Sequence, residues 1–172
     1  IKDGELVDNI EAGDHGIIIL SQSSFYAESG GQVGDSGMLV AGDIKFDVTN
    51  TLKQKTGAFE HHGIISNGII KVGDVLQAQV DVRRRKKITC NHSATHLLHA
   101  ALRSVLGETV TQKGSLVDGD KLRFDFSHDE VIDKVDLDKI EALVNRRILD
   151  NSMVHTDITD IESAKKKGAM AL

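Results

Sequence analysis

Two histidines four residues apart on a helix share one side of it, and Thr89–Ala100, TCNHSATHLLHA, holds such a pair in His92 and His96. His99 follows three residues later. An i,i+4 histidine pair is a familiar way to offer two imidazole nitrogens to one zinc ion. In zinc peptidases a glutamate follows the first histidine as base; here Ser93 stands there, which argues against peptidase chemistry. Zinc ordinarily takes at least three protein ligands. Cys90 lies two residues before His92 and so points elsewhere on a helix. His61, His62, His128 and His155 are dispersed, and the sequence does not complete a site. The competing reading is a polar stripe facing solvent or another domain.

The helix that would carry these residues has its own apolar stripe. Ala94, Leu98, Ala101, Leu102 and Val105 share one arc, while His92, His96, His99 and Arg103 fall on another, roughly 120° away. Asn91 can cap this helix and Gly107 can stop it near Leu106. Cys90 reads as a small packed residue.

Upstream, His15–Leu20, Gly37–Leu52 and Glu60–Ser66 are short β-rich runs between glycine turns. Leu76, Ala78, Val80 and Val82 alternate with polar neighbours as one face of a strand. Several short strands at regular spacing predict a small barrel or sandwich. Downstream, Lys121–Phe126 alternates as a strand, and Leu137, Ile140, Val144 and Ile148 mark an amphipathic helix that Asp136 can cap. Met153–Ile158 reads as another strand and ESAKKKGA as a short helix. The expected organisation is a β subdomain over residues 1–86 and an α+β domain over residues 87–172, with the change of style near residues 83 to 88.

The chain has 172 residues, 40% of them hydrophobic and only 3% aromatic, which predicts a sizeable aliphatic core. A net charge of −5 will not draw it onto nucleic acid by bulk electrostatics, so such contact needs a local basic patch. The run Arg83, Arg84, Arg85, Lys86, Lys87 suits either contact with a nucleic-acid backbone or a solvated linker. One cysteine cannot make an internal disulfide, and no apolar run reaches membrane-spanning length. Both fit a cytoplasmic setting without a membrane partner. The start at Ile1 and the close at KKGAMAL read as a piece of a longer protein.

Three segments in order, SFYAESGGQVGDSG (Ser24–Gly37), NHSATHLLHAALRSVLG (Asn91–Gly107) and TQKGSLV (Thr111–Val117), closely resemble the editing domain of bacterial alanyl-tRNA synthetases. LRFDFSH and the closing AKKKGAMAL follow the same pattern. The resemblance implies a small β-barrel followed by an α+β editing domain of the kind shared with threonyl-tRNA synthetases. It implies a hydrolase that removes serine or glycine wrongly attached to alanine tRNA. Its partners would be the charged acceptor end of that tRNA and the remaining synthetase domains. It implies zinc held by His92 and His96 together with a later C-x3-H pair, expected beyond Leu172, so that this chain alone would hold the metal weakly.

In that family Gln112 matches a glutamine of the editing pocket, and Ser23 stands where a threonine is often found ahead of the Phe-Tyr pair. Gly30, Gly31 and Gln32 would lie by the editing cleft and bind substrate, bringing the barrel onto the zinc-side domain. A free-standing editing protein and a non-catalytic tRNA-binding or interdomain module are the alternatives. The scissile ester is activated enough for a placed water to cleave it. No Ser-His-Asp pattern argues for a covalent route.

Overall fold

The computed structural model describes residues 1–168; the last residues of the AKKKGAMAL motif lie outside them. The chain is mixed α+β and dominated by antiparallel sheet. Strands β1 (Asn9–Glu11) and β6 (Ile69–Lys71) form a two-stranded ribbon. Strands β2 (His15–Ile19), β3 (Gly37–Ala41), β4 (Ile44–Lys53), β5 (Phe59–Asn67) and β7 (Gln77–Val80) form a five-stranded sheet in the order β2-β5-β4-β3-β7. Leu76, Ala78 and Val80 turn to the core as their alternation predicts. Val82 does not, because the strand has ended and helix has begun.

Among the described residues the sheet stays open, so the expected closed barrel is not formed. Edge strand β2 is met at Ile17 by Ile1. The Ile1 amino group donates to the Ile17 carbonyl at 2.8 Å, and the Ile17 amide donates back to Ile1 at 2.9 Å. The β1–β6 ribbon adds Ile10 and Ile70 to a core that includes Leu39, Phe46, Val48 and Ile65. Four of the five phenylalanines lie in the cores: Phe25 and Phe46 are buried there, and Phe124 and Phe126 pack into the second core.

Helix α1 (Val82–Leu106) begins nine residues before the expected Asn91 cap. Asp81 is the actual cap, its carboxylate accepting from the Arg84 amide at 3.0 Å. No glycine or proline interrupts Val82–Asn91, and arginine and lysine are good helix formers, so the basic run is helix rather than linker. Residue 86, where the change of domain was expected, lies inside this helix. Asn91 donates to the Asp118 carbonyl at 2.7 Å.

Strands β8 (Thr111–Val117) and β9 (Leu122–Ser127) form a hairpin, and α2 (Lys134–Asp150) packs on α1 over Ala101, Leu102, Val110 and Ile140. Asp133, not Asp136, caps α2. Met153–Ile158 is not a strand: it finds no pairing partner among the described residues, and Met153, Val154 and Ile158 stand in solvent. The last helix, α3, spans Ile161–Lys166. No helix of the described residues is long and apolar enough to cross a membrane.

Candidate functional site

The site is built where the loop between β2 and β3 lies along α1. Arg85, His92 and His96 are spaced 7 and 4 residues apart and so share one helical stripe. The loop follows that stripe in the opposite direction. Arg85 binds the Ser24 carbonyl at 2.8 Å and the Asp35 carboxylate, Arg84 donates to the Gly34 carbonyl at 2.7 Å, and His92 meets Gln32. The far end of the loop is stitched to β8 by backbone: the Val117 amide donates to Gly31 at 2.7 Å, and the Val33 amide to Val117 at 3.0 Å.

His92 Nδ1 lies 2.6 Å from Gln32 Oε1. With Gln32 Oε1 as the acceptor, Nδ1 is the donor, and in the neutral ring Nε2 then keeps its lone pair. Burial first, then the neighbouring His96, holds the His92 imidazole below its ordinary pKa, favouring the neutral ligand form. The two rings stack with centroids 5.2 Å apart and planes 15° from parallel. A second hydrogen bond of this kind is what orients a metal-binding histidine. The donor set therefore fits two ligands of a zinc site. Among the described residues, no group of three histidine, cysteine or acidic side chains is placed to hold a metal.

Gln112 is on β8, not in a loop, and its Nε2 donates to Ser115 Oγ at 3.3 Å. Ser115, which sequence reasoning passed over, underlies Gly31: a Cβ added at Gly31 would stand 2.3 Å from its Oγ and 2.6 Å from its carbonyl oxygen. Gly30 has open space in the same place. Ser23 lies early in the loop, with its Oγ 2.7 Å from His61 Nε2. Of the basic run, Arg84 and Arg85 are engaged within the chain, whereas Arg83 is exposed.

Three expectations change. His99 is not on an open face; it is buried against Phe124, ring centroids 5.1 Å apart, because β9 covers that side of α1. Arg103 turns to the Glu108 and Val110 carbonyls and closes the loop after α1. Cys90 is exposed rather than packed.

His61 is fully buried on β5, and burial pushes its pKa down. The sign of the linkage follows. Below about pH 6.5 the unfolded chain takes up a proton on this ring while the folded chain does not. Its stabilising contribution is therefore complete above that pH and is lost as pH falls toward the folded value. Urea midpoints at pH 7.5 and 5.5 should show a smaller acid loss for His61→Gln than for the unsubstituted chain. The slope attributable to this one proton is at most about 1.4 kcal/mol per pH unit. Equal losses in both proteins would remove His61 from the acid response.

Known proteins resemble this chain at two levels. Residues 1–84 match the family described as tRNA synthetases class II (A). More particularly, the whole chain is similar to a segment of alanine–tRNA ligases. It is 66% identical over 172 residues to that of Ruthia magnifica subsp. Calyptogena magnifica, and 63% identical over 172 residues to that of Vesicomyosocius okutanii subsp. Calyptogena okutanii. Over 171 residues it is 54% identical to the alanine–tRNA ligase of Pseudomonas fluorescens. The matches cover 100%, 100% and 99% of this chain. The chain spans 20% of the length of each of these relatives.

Proposed function

We propose that this chain supplies the editing site of an alanine–tRNA ligase, hydrolysing the ester that joins serine or glycine to the acceptor end of alanine tRNA. The observation that carries the reading is the Gln32–His92 hydrogen bond. It joins the glycine-rich loop of the β subdomain to the histidine pair of α1 with the tautomer a metal ligand needs.

His92 and His96 would hold zinc, the remaining ligands coming from outside the described residues. The bound ion would supply Lewis-acid polarisation at the ester or at water. This chain's own groups do the rest. Gly30 and Gly31 let the backbone run close to β8, Gln32 orients His92, and Gln112 and Ser23 offer polar groups to the amino acid. A polar pocket suits serine over the cognate alanine, because alanine leaves its hydrogen-bonding groups unpaired. Contact with the tRNA backbone falls first to Arg83, whose exposed side chain makes no hydrogen bond or ion pair among the described residues; Arg84 and Arg85 chiefly hold the loop. The reaction belongs to the cytoplasm, with the other synthetase domains as partners.

The test is deacylation of serine-charged alanine tRNA by a full-length ligase containing this segment. The unsubstituted protein should release serine. Gln112→His should slow release about tenfold, through a bulkier ring and the lost donor to Ser115. A full-length protein that binds the tRNA yet leaves the ester intact would instead make this segment a non-catalytic binding module.

A further inference from the structure

We infer that His61 is a positioning residue that fixes the direction of the Ser23 hydroxyl, so that Ser23 meets a bound amino acid only as a hydrogen-bond acceptor. The inference rests on the editing reading above and assigns a role to a buried side chain that the proposed chemistry leaves unused.

The proton positions follow from the partners. His61 Nδ1 lies 2.9 Å from the Ile18 carbonyl oxygen, which can only accept, so Nδ1 carries the ring proton. The ring is fully buried, and burial favours its neutral form. Nε2 is then a bare acceptor, 2.7 Å from Ser23 Oγ, and the only proton available to that contact is the hydroxyl's own. Ser23 therefore donates to His61. The Phe25 amide donates to Ser23 Oγ at 3.1 Å and occupies one lone pair. One lone pair is left, and it can receive only a donor: the side-chain hydroxyl or the ammonium group of an aminoacyl ester.

The ring has little freedom to do otherwise. His61 sits opposite Ile18 on β2 and Thr51 on β4, in the interior of the sheet. Phe25 packs edge-on against it, centroids 5.2 Å apart at 88°. The same hydrogen bond links the sheet interior to the loop whose next residue, Ser24, is tied to Arg85 on the His92 stripe. A nucleophilic Ser23 is disfavoured by the same geometry, since its oxygen already accepts a backbone proton and its would-be base is oriented by a carbonyl rather than a carboxylate.

The experiment uses the full-length ligase with Ser-tRNA(Ala) and Gly-tRNA(Ala) as substrates. Glycine lacks the side-chain hydroxyl, so it reports the general integrity of the site. Ser23→Ala and His61→Phe should each lower the serine-to-glycine ratio of kcat/KM by about threefold to tenfold, the worth of one hydrogen bond. The double variant should lose no more than either single one, because both act through one hydroxyl. Nitrogen–proton NMR of the unsubstituted chain should show His61 as the Nδ1–H tautomer, and this holds whether or not His61→Phe folds.

Equal loss on both substrates, additive losses, or an Nε2–H tautomer would overturn the inference. So would a seryl ester trapped on Ser23. An unsubstituted ligase inactive on both substrates would overturn the editing reading itself, whereas an active ligase with an unchanged ratio in the variants overturns only the role of His61.

Discussion

Gly31→Val should destabilise the fold by about 3 kcal/mol or more and disconnect the loop from β8. Gly30→Ala, one residue away, should cost only about 1 kcal/mol. Both glycines have positive φ, +82° at Gly31 and +58° at Gly30, so both substitutions carry backbone strain. Only Gly31 also lacks room. Its Cβ would overlap the Ser115 carbonyl, which cannot rotate aside because β8 is paired to β9 at Ser115–Phe124. A β-branched side chain worsens both terms. The Gly31 carbonyl would then draw away from the Val117 amide, and with it the bond that holds Gln32 at His92. Denaturant midpoints measure the first effect, and the His92 ring resonances the second. Similar midpoints for the two variants would show that the loop can lift from β8 at little cost.

The contrast between these two glycines marks a limit of sequence reading. The pair announces a close approach, but which of the two is pressed depends on Ser115, more than eighty residues away in the chain. Gly34 shows the same limit. A Cβ there would stand 2.1 Å from the Thr51 carbonyl, yet nothing in VGDSG distinguishes it from an ordinary turn. Local signals did carry the strand runs His15–Ile19 and Gln77–Val80, the α2 stripe through Ile140 and Val144, and the separation of His92 and His96 from the apolar face of α1. These depend on period alone.

His99 was misplaced because burial needs a partner as well as a face. Its arc on α1 is polar by count, and β9 supplies Phe124 to cover it. The start of α1 was missed for a related reason. Asn91 and Asp81 are equally good caps in isolation, and the choice went to Asp81 because Arg84 and Arg85 gain loop partners when the helix begins early. Met153–Ile158 has the composition of a strand, but no neighbour among the described residues offers it an edge. The open sheet has the same origin: strand periodicity predicts β structure, while closure depends on what meets the edge of β2.

The three arginines of the basic run should separate sharply when each is replaced by methionine, with Arg85→Met costing about 3 kcal/mol and Arg83→Met within about 0.5 kcal/mol of no effect. Charge patterning treats the three alike. The structure does not, because the Asp35 side chain is only 2% exposed and relies on Arg85 for its ion pair. That carboxylate also accepts the Tyr26 amide at 2.6 Å, while the Asp35 carbonyl accepts the Thr51 hydroxyl at 3.0 Å. Removing Arg85 leaves a buried charge with one backbone donor, and breaking a buried pair from one side costs about 3–5 kcal/mol. The lower end applies because the Arg85 side chain is 37% exposed, so water reaches the pair in part. Methionine keeps the length and most of the packing of the arginine stem, which confines the change to the charge and its hydrogen bonds. Arg84→Met should fall between the two, losing the Gly34 carbonyl contact but leaving no buried charge behind. Asp35→Asn in the Arg85→Met background should recover part of the loss, since the neutral amide no longer demands a cation. Equilibrium unfolding of the four variants checks the order. Equal small effects at all three arginines would show that the run is a solvated face and that Asp35 finds its compensation elsewhere. If the order holds, the part of this run left open for the proposed tRNA contact is Arg83 and the neighbouring lysines, while Arg85 holds the loop along the helix that carries His92 and His96.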